Sequence, residues 1–146
     1  MTSWTKPIPF FSEAELACRC CGELKLDIRL AVMLPALRKS WGKPLTPTSV
    51  CRCPKHNARV KGHPTSLHLT TNQKWETGGS GAADISWKDW PTLVKLQFAR
   101  MAHDHGFRIG LHDLFCHIDI GRELGLSPKP FVYGVWSVPF SEEDVL

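Results

Sequence analysis

Apolar residues recur at helical spacing in three parts of the chain, and each part predicts a helix. The first opens with Ser12 and Glu15, which form the sequence pattern of a capping box, and it should end before Gly22. The second has Asp27 as its N-cap. Pro35 lies in the middle of this second helix and should kink it or split it in two.

The same spacing predicts which faces of the two longer helices are buried. The second helix is stopped by Gly42 and Pro44, and the third, "WPTLVKLQFARMAHDHG", begins near Pro91 and ends at Gly106. The residues expected to face the core are Ile28, Ala31, Val32, Leu34 and Leu37 in the second helix, and Leu93, Leu96, Phe98, Met101 and Ala102 in the third.

Strand signals are concentrated in the second half of the chain. The segments "LTPTSVCR", "AADISW" and "PFVYGVW" read as strands, and "FRIGLHD" with "FCHIDIG" reads as an antiparallel hairpin that turns near His112 to Leu114. "PKHNARV" predicts about one helical turn, and residues 61–81 predict a loop. Helices first and strands later favour an α+β fold, with a small, mostly antiparallel sheet flanked by helices.

Length and charge limit the classes of protein that fit. A chain of 146 residues should form a single domain, residues 1–146, and we expect a monomer. The net charge of +4 suits an anionic polymer such as nucleic acid or cell wall, but the basic residues are scattered, which disfavours nucleic acid. No apolar run reaches the roughly 18 residues of a membrane span. The first residues lack the pattern of a signal peptide.

Six cysteines lie in two clusters, "CRCCG" and "CRCP", and at Cys116. We interpret them as small buried apolar residues or as one disulfide between the clusters. A zinc ribbon is disfavoured, because the C-x-C and C-C spacings differ from the C-x₂₋₄-C of structural zinc sites.

Two histidines and two aspartates form the candidate chemistry. The strand period of two places His117 and Asp119 on one face of "FCHIDIG", with apolar residues on the other face. Asp84 lies in an apolar strand and therefore needs a partner, and His68 lies at the edge of a loop. Two imidazoles and one carboxylate are a suitable ligand set for a catalytic zinc ion with one open position.

The segments "SVCRCPKHN", "SLHL…GAADI" and "GLHDLFCHIDIG", in this order, resemble the zinc D,D-peptidases of bacterial cell walls. That family includes D-alanyl-D-alanine carboxypeptidases, murein endopeptidases and phage endolysins. The resemblance extends from about Phe11 to Gly121. It implies a hedgehog/D,D-peptidase-like fold that carries a zinc site on its sheet.

The resemblance also implies roles for individual residues. His68, Asp84 and His117 would be the Zn²⁺ ligands. Arg52 would bind a substrate carboxylate or carbonyl, and Ser66 would orient the site. His56 would support the fold through hydrogen bonds.

The general base is left open. Many relatives place a carboxylate three residues before the last histidine, and here that position is Leu114. Asp119 and Asp113 are the candidates, with Asp119 slightly favoured, although it could instead hold the second ring nitrogen of His117.

The spacing of the ligands departs from the family pattern. His68 and Asp84 are sixteen positions apart, whereas the first histidine and the aspartate of the family are usually seven apart. Residues 70–78, "TTNQKWETG", are therefore an insertion. A longer loop costs little closure entropy, so both ligands can be retained, with Trp75 and Glu76 at the mouth of the site. Trp87 is also expected near the site.

The leading hypothesis is a zinc metallopeptidase that cleaves a peptide bond in the stem or cross-link of peptidoglycan. The alternative is a zinc-containing domain on the same scaffold that binds cell wall without cutting it. We expect synthesis in the cytoplasm and a role in phage or prophage lysis, after holin-dependent release or as a virion component.

Overall fold

The helices and strands of the structure, a computed structural model that describes residues 2–146, follow the predicted order closely. They are β1 (Ser3–Trp4), α1 (Glu13–Leu16), β2 (Leu26–Asp27), α2 (Ile28–Trp41), β3 (Pro47–Ser49), α3 (Pro54–Arg59), β4 (Ala82–Ser86), α4 (Thr92–Asp104), β5 (Arg108–Leu111), β6 (Phe115–Asp119), a 3₁₀ turn (Gly121–Leu124), β7 (Phe131–Val132) and α5 (Glu142–Val145). The predicted α+β class is confirmed. No helix among the described residues has the length and apolarity needed to span a bilayer.

Five strands form the main sheet in the order β3-β4-β6-β5-β7. All neighbours are antiparallel except β5 and β7, which are parallel. The predicted hairpin of β5 and β6 is confirmed. At the centre of the sheet, His117 of β6 lies directly between Asp84 of β4 and Gly110 of β5. Two of the residues predicted to bind metal are thus cross-strand neighbours.

The two faces of β6 have different surroundings. Cys116, Ile118 and Ile120 are fully buried in the apolar core. His117 and Asp119 occupy the opposite face, as the alternation along the strand predicts. The core therefore holds β6 from one side and leaves its polar residues on the side where the candidate site lies.

The long helices keep their predicted ends. The Asp27 side chain accepts a hydrogen bond from Arg29 N–H at the start of α2, and Gly42 ends the helix with φ of 75°. The helix runs without a break through Pro35, so the predicted split does not occur. The predicted capping box of Ser12 is also confirmed.

Two predicted core positions are wrong. Val32 and Leu93 are each 64% exposed. In α2 the buried stripe is rotated to include Leu30, one turn before the predicted core residue Leu34, and Val32 projects from the other side of the helix. In α4 the buried face includes Phe98 and three neighbours, Lys95, Ala99 and Ala102.

Several strands are shorter than predicted, and some elements were not predicted. The segments "LTPTSVCR" and "PFVYGVW" contribute only three and two strand residues, respectively. β1 and β2 form a separate antiparallel pair, and the acidic C-terminal tail contains α5. A strand of two residues is too short to show an alternation of apolar and polar residues, so the pairing of β1 with β2 could not be predicted from the sequence.

The cysteines correct one prediction. All six are free thiols, so the alternative of a disulfide between the clusters is not formed. Cys18, Cys51 and Cys116 are buried, as the other alternative expects. The spacing argument against a metal site is wrong, because Cys18 and Cys21 have C-x₂-C spacing and their sulfur atoms cluster with that of Cys53.

Candidate metal centre

Three side chains from distant parts of the chain converge on the open face of the sheet. Ligand atoms of His68, Asp84 and His117 all lie within 4.8 Å of one another. Asp84 and His117 are placed by the pairing of β4 with β6, and His68 is placed by the loop that precedes the insertion. Each of the three is at most 3% exposed.

Backbone contacts fix the His68 ring. The backbone carbonyl of His68 accepts hydrogen bonds from the Arg52 N–H at 2.9 Å and from Ser80 Oγ at 2.6 Å. Its Nδ1 lies 2.8 Å from the carbonyl of Val50. A carbonyl can only accept, so Nδ1 carries the proton and Nε2 presents its lone pair, 3.1 Å from Asp84 Oδ1.

The His117 ring is held between two carboxylates. Its Nδ1 lies 2.9 Å from Asp84 Oδ1, and its Nε2 lies 2.8 Å from Asp119 Oδ2. The Tyr133 ring stacks on its face, with ring centroids 4.3 Å apart. These contacts leave Nδ1 as the nitrogen that can bind a metal shared with His68 and Asp84.

Asp119 is fully buried and has no free oxygen. Arg108 donates to both carboxylate oxygens, with Nε 3.0 Å from Oδ1 and Nη2 2.7 Å from Oδ2. The Gly121 N–H also donates to Oδ1, at 2.8 Å. This geometry matches a carboxylate that orients a ligating histidine through its outer nitrogen.

The charges of the four groups are strongly coupled. Burial lowers the pKa of His68. Burial alone would lower the pKa of His117 too, but hydrogen bonds with Asp119 and Asp84 raise it to about 9. Despite burial, His117 and Arg108 lower the pKa of Asp119 to about 2, and the two histidines hold that of Asp84 well below its usual range.

The arrangement fits a bound Zn²⁺ ion. With a lowered pKa and Nδ1 bonded to a carbonyl, His68 is neutral and points a lone pair at the carboxylate of Asp84. The lone pair of His68 Nε2 and the negative charge on Asp84 Oδ1 lie 3.1 Å apart and are buried, so they repel each other. A cation bound between these two atoms would remove that repulsion. Two imidazole nitrogens and one carboxylate oxygen, with both outer nitrogens anchored, suit zinc with a place left for a further ligand.

Arg52 lies beside this group, as the family resemblance implies. Its Nη2 is 3.4 Å from Asp84 Oδ2, and its Nε donates to Ser49 Oγ at 3.0 Å. Gly62 is needed for this packing, because a Cβ there would lie 2.1 Å from Asn57 Oδ1 and 3.0 Å from Arg52 Nη1. Arg52 is thus a buried cation aimed at the candidate site.

Ser66 contacts one of the candidate ligands, whereas Asp113 is hydrogen-bonded to Ser137. Ser66 Oγ accepts the His68 N–H at 3.2 Å, so it orients the loop that carries this ligand. Asp113 is half-buried on the turn between β5 and β6, where it accepts hydrogen bonds from the N–H and Oγ of Ser137, both at 2.6 Å. These bonds lower the Asp113 pKa.

Two cavities adjoin the candidate metal ligands. One, of about 250 Å³, is lined by His117 and Asp119 together with Ser66, Lys74 and Trp75. The other, of about 540 Å³, has Arg52 and Asp84 in its wall. His63 and Tyr133 line both cavities. The insertion thus borders the site through Lys74 and Trp75.

Some residues of the site were not identified in the sequence. Arg108 pairs with Asp119 in the β5–β6 register, and the strand period could have revealed that contact. Nothing in the sequence pointed to Tyr133 or His63. Trp87, which was expected near the site, is fully buried in the core against Phe98 and lines neither cavity.

Zinc affinity should rise with pH. In the metal-free protein the pKa of His117 is about 9, so below that pH a proton must leave the ring before the metal binds. We expect the apparent dissociation constant to fall by about tenfold per pH unit between pH 6 and 8, with about one proton released. Calorimetry in buffers of different ionisation enthalpy measures this proton. The same measurement on His117→Ala is the control, and the difference in protons released between the two proteins is the contribution of His117. A zinc affinity that does not change with pH would contradict a protonated His117 in the metal-free protein.

Comparison with known proteins agrees with this geometry. The family model described as Peptidase M15 matches residues 9–119, which include all three candidate ligands and Arg52. No curated protein matches the chain. The match covers most of the sequence and the resemblance noted in its motifs is confirmed. The chain therefore belongs to the peptidase M15 family, whose members are zinc-dependent metallopeptidases.

Proposed function

We propose that this chain hydrolyses a peptide bond in the stem or cross-link of bacterial peptidoglycan. The observation that carries the proposal is the buried group of His68, Asp84 and His117, in which each histidine has its outer nitrogen anchored. Membership in the peptidase M15 family supports the reaction class. The two cavities beside the ligands offer space for substrate next to the group.

The residues of the site have three different roles in the proposed hydrolysis. Zn²⁺ held by the three ligands would supply a Lewis acid and a water molecule of lowered pKa. Arg52, buried and cationic, binds a substrate carboxylate or stabilises the negative charge that develops on the scissile carbonyl oxygen. Ser66 and Val50 keep His68 in place, and Asp119 does the same for His117.

We assign Asp119 to positioning His117, since both of its oxygens are already engaged. Asp113 is then the remaining candidate for accepting a proton. To do so it must exchange its Ser137 hydrogen bonds for contacts with bound substrate. Hydrogen bonds of catalytic groups often form fully only when substrate is bound, so Asp113 is retained as the proposed base.

The two aspartates can be separated by paired variants. Asp119→Asn removes the charge that Arg108 and His117 share, and we expect zinc affinity to fall by about 10–100-fold. Asp113→Asn should leave zinc affinity unchanged and reduce turnover. Zinc titration with a chromogenic chelator and turnover measured at saturating zinc distinguish the roles. Unchanged zinc affinity in Asp119→Asn would contradict the positioning role.

A non-catalytic zinc domain that binds cell wall is the second candidate. It is favoured by the fact that both candidate carboxylates are hydrogen-bonded within the protein. Digestion of purified sacculi, with and without chelator, tests the proposal against this alternative. The peptidase releases new amino groups in a chelator-sensitive way, and mass spectrometry of the fragments identifies the bond. A binding domain would retain sacculi and release none.

The biological setting is part of the proposal. A role in phage or prophage lysis requires that the chain reach the wall after holin-dependent release or as part of a virion. Expression in a bacterial host with and without a co-expressed holin tests this route. Lysis that depends on holin supports it, and lysis without holin would contradict it.

A further inference from the structure

We propose that Cys18, Cys21 and Cys53 bind a second metal ion, a structural Zn²⁺, at the junction between the segment after α1 and the start of α3. The three sulfur atoms lie within 4.8 Å of one another, and none of these residues belongs to the candidate active site. This inference does not depend on the proposed peptidase activity.

A tight turn brings the first two thiols together. Cys18 and Cys21 have the C-x₂-C spacing that is common in structural zinc sites. The Gly22 N–H donates to the Cys18 carbonyl at 2.8 Å, and the Cys18 N–H donates to the Glu23 carbonyl, also at 2.8 Å. Gly22 has φ of 75°, which lets the chain reverse so that both thiols project to the same side.

The third thiol comes from the N-cap of α3. The Cys53 N–H donates to Cys18 Sγ at 3.3 Å, and Cys53 Sγ itself accepts the His56 N–H at 3.4 Å. Backbone donors directed at sulfur stabilise the thiolate form that metals bind. Two of the three sulfur atoms therefore already have the hydrogen bonds typical of ligating cysteines.

The distances suit zinc. Sulfur atoms about 2.3 Å from a tetrahedral zinc ion are about 3.8 Å apart, so thiols within 4.8 Å need only small movements to close around it. Soft thiolates select zinc over magnesium or calcium. Cys51 and Cys116, which are buried, are not part of this cluster. The grouping is therefore specific to three of the six thiols.

His56 is the candidate for the fourth ligand. It follows Cys53 at C-x₂-H spacing. Its Nδ1 is buried and has no hydrogen-bond partner among the described residues, although the family resemblance implies that His56 supports the fold through hydrogen bonds. Its ring lies outside the 4.8 Å grouping of the thiols, so ligation requires a rotation of its side chain toward them.

A metal at this position would stabilise the site indirectly. Arg52 lies immediately before Cys53, and the N–H of Cys51 donates to the carbonyl of Leu16 at 3.1 Å. The second zinc would tie the segment after α1 to the segment between β3 and α3 that carries Arg52. None of the three cysteines lines either of the proposed substrate cavities, so the role of this ion would be structural.

Metal content of the purified chain tests the proposal. We expect two zinc ions per chain in the wild type by mass spectrometry of the metal, and one in either Cys21→Ser or Cys53→Ser. Cys116→Ala is the matched control, because it removes a buried thiol outside the cluster and should retain two. His68→Ala should keep the ion at the cysteines. A zinc content in Cys21→Ser and Cys53→Ser that equals that of the wild type would overturn the proposal, whatever the occupancy of the other site.

Cobalt spectroscopy keeps the test independent of whether the cysteine variants fold. Cobalt-substituted wild type and His68→Ala should both show an intense sulfur-to-cobalt charge-transfer band in the near ultraviolet. Absence of this band, or a disulfide between two of the three cysteines in peptide mapping, would refute a thiolate metal site. In His56→Ala the band should persist while the visible ligand-field bands change. Unchanged visible bands would remove His56 from the ligand set.

Discussion

Replacement of either histidine of the metal centre, His68→Ala or His117→Ala, should abolish chelator-sensitive cleavage of sacculi. Each change removes one of three protein ligands. It also leaves the buried carboxylate of Asp84 without one of its two histidine partners. Loss of a residue that only orients a ligand typically costs 10–100-fold. We expect loss of the ligand itself to exceed that range and reduce activity to background.

The matched control is His105→Ala, which alters a partly buried histidine at the C-terminal end of α4, away from both cavities. It should cleave sacculi at the wild-type rate. Circular dichroism and zinc content of all three variants separate loss of metal from loss of fold. Cleavage that persists in both His68→Ala and His117→Ala would rule out this metal centre as the active site.

Arg52→Ala should reduce turnover by about 10²–10³-fold, the effect typical of removing a group that stabilises an oxyanion. Arg52 is 8% exposed and its guanidinium is 3.4 Å from Asp84, so its charge is screened little by solvent. Arg52→Lys keeps the charge but loses the planar fork that also contacts Ser49 and Asn57. We therefore expect an intermediate loss in that variant.

Steady-state kinetics on a soluble peptide fragment of the wall distinguish two roles for Arg52. A fall in kcat assigns it to the developing oxyanion, and a rise in KM at constant kcat assigns it to a substrate carboxylate. Zinc content should remain at the wild-type level in both variants. Wild-type kcat and KM in Arg52→Ala would exclude Arg52 from the reaction.

Much of the fold could be predicted because local signals were strong. The capping box at Ser12, the stop at Gly42 and the hairpin of β5 and β6 each depend on residues close together in sequence. The rotation of the α2 face could not be predicted. Val32 and Leu30 are both apolar, and only packing against the rest of the core decides which one is buried.

The candidate site was predicted in parts. The strand period places His117 and Asp119 on one face, and it could also have placed Arg108 opposite Asp119. It does not show that Arg108 donates to both oxygens of Asp119. The position of His68 depended on the family resemblance, since a long insertion separates it from Asp84. The thiol cluster could not be predicted because Cys20 lies between Cys18 and Cys21. The segment therefore reads as C-x-C followed by C-C, and its C-x₂-C spacing is easily overlooked.

A crystal structure of the zinc-loaded protein, with anomalous differences recorded at the zinc absorption edge, tests the shared metal centre most directly. We expect a peak about 2.0–2.2 Å from His68 Nε2, His117 Nδ1 and a carboxylate oxygen of Asp84. A zinc-loaded crystal with no peak among these three atoms would contradict this expectation.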